Sequence, residues 1–152
     1  MNEQLISLTK PPAKQIIETK PKAGKDLLFV SWSNTVQQLL ATVGNFSWRK
    51  VPGSDLFDNE GKIEASVWEL TVDEIDGKGP YSVQSTGDYD GMKNQTQGFR
   101  AQVIEANAFR RASSKLGVNL CLYSTKGYEN PDAYVIHEYL KSLNGKDLRQ
   151  DP

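Results

Sequence analysis

KIEASVWELTVDEIDGKGPYSVQSTG, residues 62–87, is the stretch on which the fold turns. Its first part, KIEASVWELTV, mixes β-branched and aromatic residues and reads as a strand. Asp76 and Gly77 then supply turn chemistry, and Tyr81 and Val83 alternate with Ser82 and Gln84, so the whole stretch reads as a β-hairpin. The polar Ser82 and Gln84 give the sheet one wet face.

The neighbouring segments follow from their periodicity. Upstream, Phe46 and Trp48 alternate with polar residues as far as Pro52 and read as another strand, with VPGSDLFDNEG as a turn-rich loop before the hairpin. Before that, Val36, Leu39, Leu40 and Val43 in SWSNTVQQLLATVG fall at helical spacing. Ser31 or Ser33 can cap this helix and Gly44 can end it. The first stretch, through KPPAKQIIETKPKAGK, has three prolines and little apolar pattern. It reads as an extended arm with a short ordered piece around Ile16 and Ile17.

Downstream, residues 99–116 are helical in pattern and Gly117 is a natural stop. Ala101, Ile104, Ala108, Ala112 and Leu116 share one face, and its alanines let the helix lie close on a sheet. Arg100, Asn107, Arg111 and Ser114 occupy another flank, bordered by Arg110 and Lys115. Hairpin-connected strands followed by a long helix define an α+β fold. The expected architecture is an antiparallel sheet of three or four strands packed on a long C-terminal helix, preceded by an N-terminal helix, in the order helix-strand-strand-strand-helix. Residues 1–25 form a basic arm, 26–126 the core domain, and 127–152 a C-terminal extension with a short helix.

With 152 residues the chain is about one domain in size, enough to hide roughly 68–70% of its unfolded surface. Eighteen lysines and arginines against 19 acids leave a net charge near −1, so no global basic field draws it to nucleic acid. The charge is partitioned, however. Residues 1–25 hold five lysines against two glutamates, 53–95 hold ten acids against three lysines, and 96–126 hold five cations against Glu105 alone. Two cationic clusters therefore lie far apart in sequence, on either side of an acidic stretch. Cys121, the single cysteine, sits in the apolar run LCLY and reads as a buried small hydrophobe in a reducing compartment. The N-terminal residues carry no secretion pattern and no segment reads as membrane-spanning, so a cytoplasmic protein is expected.

Arginine forks beside serine and asparagine suit phosphate oxygens, which makes Arg100, Arg110, Arg111 and Lys115 candidate DNA-binding residues. The plainer reading of Arg100, Arg110, Arg111 and Lys115 is a solvated helix flank, with Glu105 as a local partner. The segment AFRRASSKLGVNLCLYS resembles the end of the Rad-fifty-two/Rad-twenty-two single-strand annealing domain, especially its phage and bacterial members. KPKAGKDLLFVSWSNTVQQLLATVG resembles that family's basic loop, short strand and first helix. FSW, EASVWELTVDEIDGKGPYSVQSTGDYDG and HEYLKSLN are similar to its tryptophan-bearing strand, hairpin and following helix. Together these cover roughly residues 16–143.

The resemblance implies a non-enzymatic, ATP-independent protein that forms homo-oligomeric rings. Such a protein anneals single-stranded DNA in recombination or repair, in the host cytoplasm if phage-encoded, with an exonuclease or single-strand binding protein as partner. It puts Arg110 and Arg111 on the family's basic pair, Lys20 or Lys22 with Lys25 near its basic loop, and Phe29 on an aromatic or apolar position. Two departures stand out: Asn119 and Cys121 follow Gly117 where phage relatives often have glycine and arginine, and the hairpin is acidic where a second DNA site would be basic.

Other classes are weaker on the residues. Asp88, Asp90 and Glu105 could hold the magnesium of a nuclease, but DYDG lacks the spacing and late glutamate of a calcium loop. His137 is the only histidine, which excludes histidine-based triads and multi-histidine metal sites. GKDLL and GKGPYS lack P-loop spacing, so no cofactor is expected. Trp32, Trp48 and Trp68 lie where core aromatics belong. A non-annealing single-strand binder, or a protein-interaction module using the acidic hairpin or residues 127–152, remains as an alternative.

Overall fold

A computed structural model describes residues 3–22 and 25–123. The elements run α1 (Glu3–Thr9), β1 (Ile17–Lys22), β2 (Lys25–Val30), α2 (Trp32–Val43), β3 (Phe46–Lys50), β4 (Leu56–Phe57), β5 (Ile63–Val72), β6 (Tyr81–Asp88) and α3 (Gln97–Lys115). Short 3-10 turns occupy Lys14–Ile16 and Leu120–Tyr123. The class is α+β with antiparallel sheets, as expected, and the described residues hold three helices. The simpler helix-strand-strand-strand-helix order misses α1, the β1–β2 hairpin and β4.

The hairpin at 62–87 forms the centre of the main sheet. β5 pairs β6 from Ala65↔Asp88 to Val72↔Tyr81. Its opposite edge is shared end to end by β3, from Phe46↔Val72 to Lys50↔Trp68, and by β4, through Leu56↔Ala65 and Phe57↔Ile63. The sheet thus has four strands but is three wide. Asp76 at φ 53° and Gly77 at φ 81° make the tight turn that a right-twisted hairpin needs. One face is wet: Thr71 and Ser82 hydroxyls meet at 2.8 Å, and Glu69 accepts from Gln84 and Arg49.

α2 and α3 cover the other face. Ser31 caps α2 by accepting from the Asn34 N–H, and Gly44 ends it at φ 74°. α3 begins slightly earlier than its apolar pattern suggested, because the Thr96 hydroxyl accepts from the Phe99 N–H. Its buried stripe is Arg100, Ile104, Ala108 and Ala112, with Phe109 and Ser113 beside it. Ala101, expected in the core, is exposed. The helix lies so close on β6 that a Cβ at Gly87 would stand 1.9 Å from the Ile104 carbonyl oxygen and 3.0 Å from the Ala108 methyl.

Leu39, Leu70, Val72, Phe109 and Ala112 form the main core, joined by Leu8 from α1. The first residues are therefore not the extended arm their prolines suggested. Asp76 accepts from the backbone N–H groups of Gln4 and Leu5 at 2.9 and 3.1 Å, and Gln4 Oε1 accepts from Asp76 N at 2.6 Å. This clasp fixes α1 against the hairpin turn. The β1–β2 hairpin has its own small core, where Val30, Cys121 and Leu122 meet Ile16, Ile17 and Leu28. Burial pushes the Cys121 thiol up from its ordinary pKa, as suits an apolar filler.

The turn after α3 tolerates its departure from the resembled pattern. Asn119 adopts φ 57°, a conformation asparagine accepts more readily than most residues. Its amide exchanges two hydrogen bonds with Gln38, at 2.9 and 2.8 Å. No helix among the described residues is long and apolar enough to cross a membrane. The helix expected at HEYLKSLN and the extension 127–152 lie outside the described residues.

Replacing Gly87 with alanine should force α3 off the sheet, because the obstructing atom is backbone. We expect a loss of about 1–3 kcal/mol or more in urea unfolding.

Candidate nucleic-acid interface

Alternation along β1 and β2 sets the near wall of a cleft of about 190 Å³, lined among others by Lys20, Phe29, Asp90, Asn107, Arg110 and Arg111. The hairpin register opposes Glu18 to Phe29, which leaves Lys20 diagonal to the ring. Lys20 Nζ lies 5.7 Å from the Phe29 centroid, and Arg110 Cζ approaches the same ring at 5.4 Å. One phenyl group thus collects a cation from β1 and another from α3, each within cation–π range. Arg110 also donates to Asn107 Oδ1.

Arg111 borders the same cleft but has a second task. Tyr89 N donates to Glu64 O, and antiparallel alternation then turns the carbonyls of Gln84, Thr86 and Asp88 away from β5. Asn107 Nδ2 donates to Asp88 O at 2.9 Å, Arg111 Nη1 to Thr86 O at 2.8 Å, and Lys115 Nζ to Gln84 O. Four residues of helix rise about 6 Å and two of strand about 6.6 Å, so the rows match. The outer edge of β6 is thereby capped against another strand. Arg111 also contacts the Asp88 carboxylate at 2.5 Å while its side chain stays 43% exposed.

Arg100 does not belong to this surface. It is 4% exposed, donates to the carbonyls of Ile63 and Lys93 at 3.2 and 3.0 Å, and stacks on Tyr89 at 4.5 Å. Asp58 lies 3.5 Å from its Nη1. The expectation that Arg100 contacts DNA phosphate is corrected: it is a buried tie between α3, β5 and the loop before α3. Glu105 is likewise not its partner, since it accepts from Trp48 Nε1 at 3.1 Å. The side chains of Lys22 and Lys25 lie outside the described residues, although their backbones pair as the last rung of the β1–β2 ladder, next to the connection between the strands.

The structure therefore brings together Lys20, Phe29, Arg110 and Arg111, leaves Lys115 on the neighbouring edge, and excludes Arg100. Asp90 lies in the same cleft and offsets part of its positive charge. Asn119, missed in the sequence, also lines it; its position just past Gly117 in a turn was the available signal. Asp88, Asp90 and Glu105 do not gather, and no group of three or more metal-ligating side chains occurs among the described residues. Trp48 and Trp68 stack at 5.2 Å, both half-buried, with Trp48 packed against the main core, whereas Trp32 is 54% exposed. No protein-family model matches this chain, and a search of curated proteins finds no match.

Removing the Arg100 fork by Arg100→Ala should cost about 3 kcal/mol in urea unfolding, with Arg100→Lys recovering only part, because one ammonium cannot reproduce the planar fork. Asp58 is held below the usual carboxylate range, chiefly by the Lys62 backbone N–H and also by the Glu60 N–H and Arg100, against the opposing effect of burial. Its stabilising contribution is complete above the ordinary carboxylate pKa of about 4 and disappears as pH falls through the lowered folded value. The acid-side decline of the urea midpoint should accordingly be shallower in Asp58→Asn than in the native chain.

Proposed function

We propose that the cleft between the β1–β2 hairpin and α3 holds the phosphate backbone of single-stranded DNA, and that the protein anneals complementary strands without ATP. The observation that carries this reading is the meeting of Lys20 and Arg110 on one ring, beside Arg111. The ring orients two cations, one from β1 and one from α3, on the same wall of the cleft. Arg110 and Arg111 offer forks for phosphate oxygens, and Asn107 and Asn119 add neutral amides. Backbone contacts leave base edges free to pair with a complementary strand.

The resemblance carries the rest of the proposal: a ring of identical subunits, an exonuclease or single-strand binding protein as partner, a role in recombination or repair, and a cytoplasmic location. The acidic groups tune the cleft. A phosphate that reaches Arg111 must compete with Asp88, so binding is expected to be modest and salt-sensitive.

The test is binding of a fluorescent oligothymidylate across a salt series, together with annealing of complementary oligonucleotides without nucleotide. Three phosphate contacts give a log–log salt slope of about −2, and Lys20→Ala with Arg110→Ala should reduce its magnitude by about 1.4 and suppress annealing. Asp90→Asn should tighten binding. An unchanged slope and full annealing in the double variant would reject the cleft, and binding without annealing would mark a simple single-strand binder.

A further inference from the structure

A second cavity, of about 470 Å³, opens between α2, β3 and α3 and shares no lining residue with the cationic cleft. Trp32, Phe46, Trp48 and Phe109 wall it, and Glu105 stands among them. Trp48 is held rigidly, stacked on Trp68 and meeting Phe109 edge-on at 4.9 Å. Its indole N–H fixes one oxygen of Glu105 at 3.1 Å. Among the described residues no cation pairs with Glu105. Aromatic faces attract cations, and a carboxylate at their base adds a fixed countercharge. The chemistry suits an ammonium or guanidinium carried on an apolar stem.

The backbone beside this cavity is also unsatisfied by any strand. Val51 N donates to Val67 O at 2.8 Å, so alternation turns the N–H and C=O groups of Phe46, Trp48 and Lys50 outward. No strand among the described residues pairs with that edge. The contrast with β6 is direct, since its carbonyls are capped by Asn107, Arg111 and Lys115. A strand added to β3 would deliver alternate side chains to the cavity face, next to Phe46 and Trp48.

We propose that the outer edge of β3 and the adjoining aromatic cavity receive an extended segment of a partner protein, whose lysine or arginine side chain passes over Trp48 to Glu105. Charge selects this occupant: among the described residues Glu105 is the one charged side chain lining the cavity, and its carboxylate asks for a cation. The site is independent of DNA binding.

The experiment titrates isotope-labelled protein with the capped peptide Thr-Val-Lys-Val-Thr, and with the same peptide carrying norleucine in place of lysine. The lysine peptide should shift the Trp48 indole N–H and the backbone amides of Phe46, Trp48 and Lys50. The norleucine peptide should bind at least about tenfold more weakly, the ratio equivalent to 1.4 kcal/mol. Glu105→Gln keeps an acceptor for the indole while removing the charge, and should erase that preference; Trp32→Ala should weaken both peptides. Equal binding of the two peptides, no shift with either, or a preference that survives Glu105→Gln overturns the proposal. Shifts that follow protein concentration alone overturn it in favour of a second copy on this edge.

Discussion

The close approach of α3 to β6 is the constraint on which the other arrangements depend. Gly87 has no side chain and Ala108 a single methyl, so the helix backbone comes within contact of the strand. At that separation the side chains of residues 107, 111 and 115 reach the strand's outward carbonyls, and Phe109 reaches Trp48 of the sheet. Both cavities are consequences of the same seating, one on each flank of the helix. A bulkier interface would separate the layers and disperse the groups that line them.

Cations in this protein are assigned by depth. Arg100, fully interior, spends its fork on two carbonyls, an aromatic ring and Asp58. Arg111 and Lys115, nearer solvent, cap a sheet edge. Lys20 and Arg110 are grouped by Phe29. Five residues that look alike in a charge plot therefore carry three different physical duties. Net charge per segment identifies none of them, because duty is set by what stands opposite each side chain.

Elements with local signals were legible in the sequence. The β5–β6 hairpin has its positive-φ turn at Asp76 and Gly77, and α2 has Ser31 and Gly44 at its ends. α1 and the pairing of β1 with β2 were not legible, although a short strand before α2 was expected from the resemblance, because their support is remote: Gln4 is held by a carboxylate 72 residues away, and Ile16 and Ile17 pack under a turn from the far end of the core. β4 is two residues long and has no pattern to read. On α3 a single step along the helix separates Arg100 from Ala101, and apolar periodicity chose the alanine. The arginine goes inside because carbonyls and Asp58 await its fork, which no count of apolar residues reveals. The meeting of Lys20 with Arg110 was reached through family resemblance and charge clustering. The role of Arg111 and Lys115 as edge caps required the strand register.

Cys121 lies where the small core of the β1–β2 hairpin meets the turn beyond α3. Its thiol is buried and disfavoured as thiolate, so an alkylating reagent must wait until the hairpin lifts away from the helix. Since it is the sole sulfhydryl in the chain, its rate of modification is a built-in clock for that opening. A ligand lying across the hairpin and α3 would slow the clock, giving occupancy of the cleft a chemical signal that needs no label on the ligand.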